Sequence, residues 1–122
     1  MNEVLQRLSR TGIVPVIAID DAEKAVPLAR ALTAGGLPAA GVTIRTAAGE
    51  EAIRRDAREC PEVLVGAGTV LNLEQCGRAL AAGARFIVSP GYNETLVNYC
   101  VEKGVPVLPG CANASDMTRA VN

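Results

Sequence analysis

Apolar residues gather in short runs separated by longer amphipathic stretches, and the alternation recurs along the whole chain. The runs Ile13–Ile19, Ala40–Ile44, Val63–Gly66, Phe86–Ser89 and Val105–Leu108 predict strands. Their starts fall roughly 20–27 residues apart, the length of a strand, a helix and two short loops. A run such as Ile13-Val14-Pro15-Val16-Ile17-Ala18-Ile19 has no polar face, which fits a strand covered on both sides in a parallel sheet. Pro15 cannot donate to a ladder, so this run is expected at an edge.

The stretches between the runs carry helical punctuation. Ala22–Ala34 places Ala25, Leu28, Ala29 and Leu32 on one stripe and stops at Gly35-Gly36. Asn72 followed by Gln75 has the spacing of a capping box, and that helix is expected to end at Gly83. Asn93 predicts the cap of a helix carrying Leu96, Val97 and Cys100 and stopping at Gly104. Asn113 followed by Asp116 predicts another start, and a short leading helix around Val4, Leu5 and Leu8 covers one end of the sheet. On the stripe of Ala52, Ile53, Ala57 and Cys60 lies Asp56, either buried without a partner or left at the margin by a slightly rotated helix. Gly49 and Gly77 fall inside helical stretches, where glycine weakens a helix by about 1 kcal/mol relative to alanine.

Strands alternating with helices imply one domain over residues 1–122, built on a parallel sheet with right-handed crossovers. An open doubly wound sheet and an arc of a closed barrel both satisfy this pattern. In each, ligands bind beyond the carboxyl ends of the strands. That rule singles out Asp20, Arg45, Thr69, Ser89-Pro90-Gly91 and Gly110-Cys111.

Composition narrows the function. With 12 basic and 13 acidic residues the net charge is -1, which leaves no field for nucleic acid or anionic lipid. No run reaches the roughly 18 apolar residues of a membrane span, and the N-terminus lacks a secretory signal, so the expected location is the cytoplasm. The four cysteines lack C-x-x-C spacing and are expected as reduced thiols. There is no histidine, which excludes Ser-His and Cys-His pairs and mixed zinc sites.

Among the strand-end residues, Arg45 offers a guanidinium able to hold a carboxylate bidentately, though an ordinary surface arginine needs no ligand. Val65-Gly66-Ala67-Gly68-Thr69-Val70 offers close backbone approach and a hydroxyl, or simply a tight turn; it lacks the G-x-G-x-x-G spacing of a dinucleotide fingerprint. Ser89-Pro90-Gly91 is a turn or a rigid rim.

Together with Val14-Pro15-Val16-Ile17, Val42-Thr43-Ile44-Arg45-Thr46 and Val107-Leu108-Pro109-Gly110, in this order, these segments resemble the 2-keto-3-deoxy-6-phosphogluconate aldolase family, which also handles 4-hydroxy-2-oxoglutarate. The resemblance covers the whole chain and the front half of the family's length. It implies a partial (β/α)8 TIM barrel of about five parallel strands, incomplete at the C-terminus, in a family that assembles as trimers. It also implies Schiff-base (class I) aldol chemistry of the Entner–Doudoroff pathway, with no metal or other cofactor. In that chemistry a lysine forms an imine with the substrate ketone and a glutamate moves protons. The products are pyruvate and glyceraldehyde 3-phosphate. Arg45 falls on the arginine that grips the pyruvate carboxylate, Thr69 on the threonine beside it, and Pro90 in the rim turn.

Two positions depart from the family pattern. Gly41 stands where the family has its glutamate, and the strand that bears the imine lysine is not in this chain. Of the lysines present, Lys24 lies beside Asp20, Asp21 and Glu23, and Lys103 ends a helix at the far end of the sheet. No catalytic residue is therefore assigned, and the chain is expected to be inactive alone. The alternative is a non-catalytic, self-associating half-barrel or a weak carboxylate-binding module.

Overall fold

The computed structural model describes residues 2–122. Helix α1 (Glu3–Thr11) leads into β1 (Val16–Ile17), a 3-10 turn (Ala22–Lys24) and α2 (Ala25–Ala34). Three strand–helix units follow: β2 (Ala39–Thr43) with α3 (Ala48–Glu59), β3 (Leu64–Gly68) with α4 (Leu73–Ala82), and β4 (Ile87–Ser89) with α5 (Glu94–Glu102). The chain continues through β5 (Val107–Pro109) and α6 (Ala114–Val121). All neighbouring strands pair in parallel, in the order β1-β2-β3-β4-β5. The sheet does not close, and the architecture is an arc of a β/α barrel.

Asparagine caps the starts of α1, α4, α5 and α6. Asn72 Oδ1 accepts from the Gln75 N–H at 2.9 Å, while Gln75 Oε1 accepts from the Leu71 N–H at 2.8 Å. Asn113 and Asp116 repeat the exchange at α6, and Asn93 and Asn2 cap α5 and α1 singly. Each satisfies backbone donors that a first helical turn leaves without partners.

Strand alternation divides the sheet's two faces. Ala40, Val42, Val65, Ala67 and Ile87 belong to the outer core, packed with Ala29, Ile53, Cys76, Leu96 and Cys100 from the helices. Ala39, Leu64 and Phe86 belong to the inner core, where Val4 and Leu8 of α1 cover them. The inner face is built for one large ring: a Cβ on Gly66 would come within 2.4 Å of the Phe86 ring.

The strands differ in extent from the apolar runs. The first run yields only Val16–Ile17, because Pro15 brings no N–H and contributes through its carbonyl, which accepts from Gly41 N–H at 2.9 Å. The third strand instead runs on through Gly68, which pairs with Thr43 across the ladder.

Gly49 is a required residue and not the weakness that its helical position suggested. A Cβ there would lie 2.3 Å from the Thr43 carbonyl oxygen, so glycine lets α3 start hard against the end of β2. Gly77 has open space around it. Gly77→Ala is expected to raise stability by about 1 kcal/mol, and Gly49→Ala to lower it by about 1–3 kcal/mol through overpacking. Urea unfolding of both variants checks this; equal effects at the two positions would contradict it.

Asp56 is not at the margin. It is 3 % exposed, its Oδ1 has no hydrogen-bond partner, and Ile17, Ile19, Leu28, Ala40 and Val42 surround it. Burial, with a smaller push from the Glu59 charge, raises its carboxyl from 3.8 to about 6. The folded protein thus holds this proton more tightly than the unfolded chain does. Stability is expected to fall as pH rises from about 4 to 6, and the deficit of about 3 kcal/mol persists above that range. Asp56→Asn should flatten this loss in pH-dependent urea titrations; an unchanged pH profile would contradict it.

Candidate functional site

On the inner face above Phe86, the wall is made of residues with little or no side chain. Gly41, Thr43 and Arg45 follow one another at alternate positions of β2 and its exit, and Gly68 stands across the ladder from Thr43. With Val14, Val16, Val88 and Leu108 they enclose an open cavity of about 310 Å³, whose rim carries Thr69, Ser89 and Pro90. The carboxyl ends of the strands thus leave room for a small molecule against an apolar wall, with the polar groups at one side.

Thr69 reaches this cavity by breaking the strand's alternation. A regular strand that turns Gly68 inward would turn residue 69 outward. The backbone at Thr69 takes φ 56°, the one non-glycine residue with positive φ among those described. For a β-branched residue that conformation is a steric outlier, worth about 1–3 kcal/mol of strain. The reversal brings Thr69 Oγ1 to the cavity, where it accepts from Arg45 Nε at 3.0 Å. Val70 then returns to the outer core and donates its N–H to the Val88 carbonyl.

Arg45 is exposed, and among the described residues no carboxylate forms an ion pair with it. Other arginines are engaged: Arg54 and Arg78 both hold Glu50, and the Arg78 hydrogen bonds are first among the causes that lower that carboxyl's pKa. Arg45 uses Nε on Thr69, and among the described residues its two terminal nitrogens have no protein partner.

Pro90 sits in a turn fixed from both sides. Ser89 Oγ donates to the Gly91 carbonyl at 2.9 Å, and Gly110 N–H donates to the Ser89 carbonyl at 2.9 Å. A Cβ on Gly110 would lie 2.1 Å from the Pro90 carbonyl oxygen, so only glycine lets β5 approach this closely.

The structure therefore gathers Arg45, Thr69 and Pro90 around one cavity that Gly41 also lines. A Cβ on Gly41 would meet Pro15 O and Val14 Cγ1 at 3.4 Å, so a side chain enters there with little displacement. Asp20 is exposed beyond β1, away from this lining. Cys111 Sγ turns back to the Pro109 carbonyl. Lys24 is exposed in the 3-10 turn, and Lys103 lies over the Tyr99 ring at 5.6 Å. The lining contains no amine and no carboxylate. Sequence reasoning gave no role to Thr43, which lines the cavity with a buried hydroxyl lacking a hydrogen-bond partner. Its place two residues before Arg45 was the available signal. Among the described residues no cluster of three metal-ligating side chains occurs, and no helix is long and apolar enough to cross a membrane.

Residues 4–122 match the family described as KDPG and KHG aldolase. The 2-dehydro-3-deoxy-phosphogluconate aldolase of Treponema pallidum is 47% identical over 121 residues, covering 99% of this chain and 58% of the relative. The crystal structure of the 2-keto-3-deoxy-6-phosphogluconate aldolase of Zymomonas mobilis ZM4 with 3-phosphoglycerate superposes with a TM-score of 0.90 at 39% identity, over 98% of this chain and 56% of that one. The KDPG aldolase of Legionella pneumophila, with pyruvate captured as a covalent carbinolamine, gives 0.84 at 39% identity, over 88% and 52%. The chain spans about half the length of the relatives it matches.

Strain at residue 69 predicts an inverted ranking of substitutions. Thr69→Gly relieves the backbone and is expected to stay within about 1 kcal/mol of the parent. Thr69→Val keeps the branched side chain in the same strained backbone and loses the hydroxyl, so it should be the less stable variant despite its closer shape. Urea midpoints decide; a valine variant as stable as the parent beside a much weaker glycine variant would show an unstrained position.

Proposed function

Since the chain belongs to the KDPG and KHG aldolase family, we propose that its cavity is the part of a Schiff-base aldolase site that holds the pyruvate end of a 2-keto-3-deoxy-6-phosphogluconate or 4-hydroxy-2-oxoglutarate substrate. The observation that carries this reading is the Arg45–Thr69 hydrogen bond at the mouth of an apolar cavity, with the guanidinium free of any carboxylate. A substrate carboxylate would take the terminal nitrogens of Arg45 in a charge-assisted, two-point contact. Thr69 accepts from Nε, which leaves its own hydroxyl hydrogen for a carboxylate oxygen. Pro90 stands at the rim, and Val14, Val16, Val88 and Leu108 offer the carbon skeleton an apolar wall.

Cleavage by this route needs an amine to form the imine and a group to move protons. Gly41 supplies neither, and Lys24 and Lys103 stand away from the cavity. Loss of general acid–base help alone costs about 10²–10⁴ in rate. In this reading the stretch binds the keto acid and does not break its carbon–carbon bond unaided; the amine must come from outside these residues.

A second reading, self-association, is favoured by the uncovered apolar surface. Ile13 and Val16 beside the inner face are 66% and 73% exposed, and β1 and β5 each leave one edge unpaired. Light scattering tests it: a species larger than a monomer is expected, and a well-folded monomer would exclude it.

Isothermal calorimetry tests the first reading. Pyruvate should bind the parent chain, and Arg45→Ala should abolish the heat; undiminished binding by the variant would remove the basis of the proposal. Borohydride added with pyruvate is expected to leave the intact mass unchanged. A reduced adduct on Lys24 or Lys103 would show that an amine does reach the substrate.

A further inference from the structure

Two thiols outside this cavity stand close together in the outer core. Cys76 in the middle of α4 and Cys100 near the end of α5 are both fully buried, and their sulfurs lie 3.8 Å apart. Neither lines the cavity of Arg45. Cys60 ends α3, and Cys111 sits beyond β5 with its thiol turned to the Pro109 carbonyl.

We propose that Cys76 and Cys100 are a cross-helix dithiol that closes to a disulfide under oxidation and so ties α4 to α5. A disulfide needs the sulfurs at about 2.0 Å, so closure from 3.8 Å requires the two side chains or their helices to approach. The pair joins residues 24 apart in sequence, on helices that follow Thr69 and the Ser89-Pro90 turn in the chain. The loops leading into both helices are already tied by Asn93 Nδ2, which donates to the Leu71 carbonyl at 3.3 Å. A covalent link would fasten the helices behind two neighbouring walls of the cavity.

The chemistry is a two-electron oxidation, and hydrogen peroxide supplies the oxidant. One sulfur attacks the peroxide oxygen and becomes a sulfenic acid, and the departing hydroxide takes the thiol's proton to leave as water. The second sulfur displaces the sulfenic hydroxyl, its proton leaving with that group as another water, and the S–S bond forms. Burial holds both thiols above their ordinary range, Cys100 up to about 12. The thiolate forms rarely inside the closed core, so the reaction is slow and proceeds through local opening of α4 and α5.

The test oxidises the whole chain with hydrogen peroxide under native conditions, blocks remaining thiols with an alkylating agent, and maps the pairing. Trypsin leaves Cys60 and Cys76 on one peptide, from Glu59 to Arg78, so a glutamyl endopeptidase is added to separate them. The expected result is an intact mass lower by about 2 Da with Cys76 linked to Cys100, reversed by reductant and absent in Cys100→Ser. The parent chain oxidised in urea supplies the reference mixture of pairings. Finding that same mixture under native conditions would overturn the proposal, as would recovery of Cys76 and Cys100 as blocked thiols while Cys111 is oxidised. The overturning outcomes are read on the parent chain, so they do not depend on the folding of a variant or on pyruvate binding.

Discussion

The ladder between β2 and β3 sets the geometry of everything else. It runs through five consecutive residue pairs, and both strands are buried along their whole length. Strands covered on both sides give one face to the helices and one to the barrel interior, and here the two faces are filled differently. The outer face carries Val42, Val65 and Ala67, while the inner face carries Gly41, Gly66 and Gly68 beside Thr43. Absent side chains on the inner face make room at two levels. Phe86 fills the lower one, against Gly66 and under α1, and the upper one remains a cavity.

That cavity has one cation and no partner for it. Arg45 has no carboxylate beside it among the described residues, is held by a hydroxyl and stands at the edge of an apolar pocket, and the proposed keto-acid binding rests on that arrangement. The strained backbone of Thr69 belongs to the same arrangement. Strain at one residue is tolerable because Val70, the next residue, is fully buried and its N–H is bonded to Val88, so the turn is fixed on its far side. In the function proposed above that anion is a keto acid, and a lining without an amine separates holding it from cleaving it.

The layer behind the sheet is less uniform than a stability-driven core requires. Asp56 is buried among aliphatic side chains with an oxygen left without a partner, a costly placement that burial of the neighbouring residues outweighs. Cys76 and Cys100 meet in the same layer, one strand–helix unit or more away. Gly49 shows the opposite case, a residue unfavourable for its helix and necessary for the contact between that helix and β2. Helix propensity loses there to the steric demand of a backbone oxygen.

Residue order alone was enough for the alternation of strands and helices, the asparagine starts and glycine stops, the parallel sheet and the set of strand-end residues worth attention. These are local properties, written in periodicity and in the hydrogen-bonding habits of single side chains. Register, backbone reversal and approach between distant segments are not local, and they emerge once the chain is folded. Alternation alone sends Thr69 away from Gly68, and a positive φ turns it back toward Arg45. Whether Asp56 is buried or marginal depended on the rotation of α3 against β2. Whether Gly49 was a defect or a fit depended on a carbonyl six residues earlier, brought close by the turn between them. Residue type sets what each side chain can do; the folded chain decides which of them stand near enough to do it together.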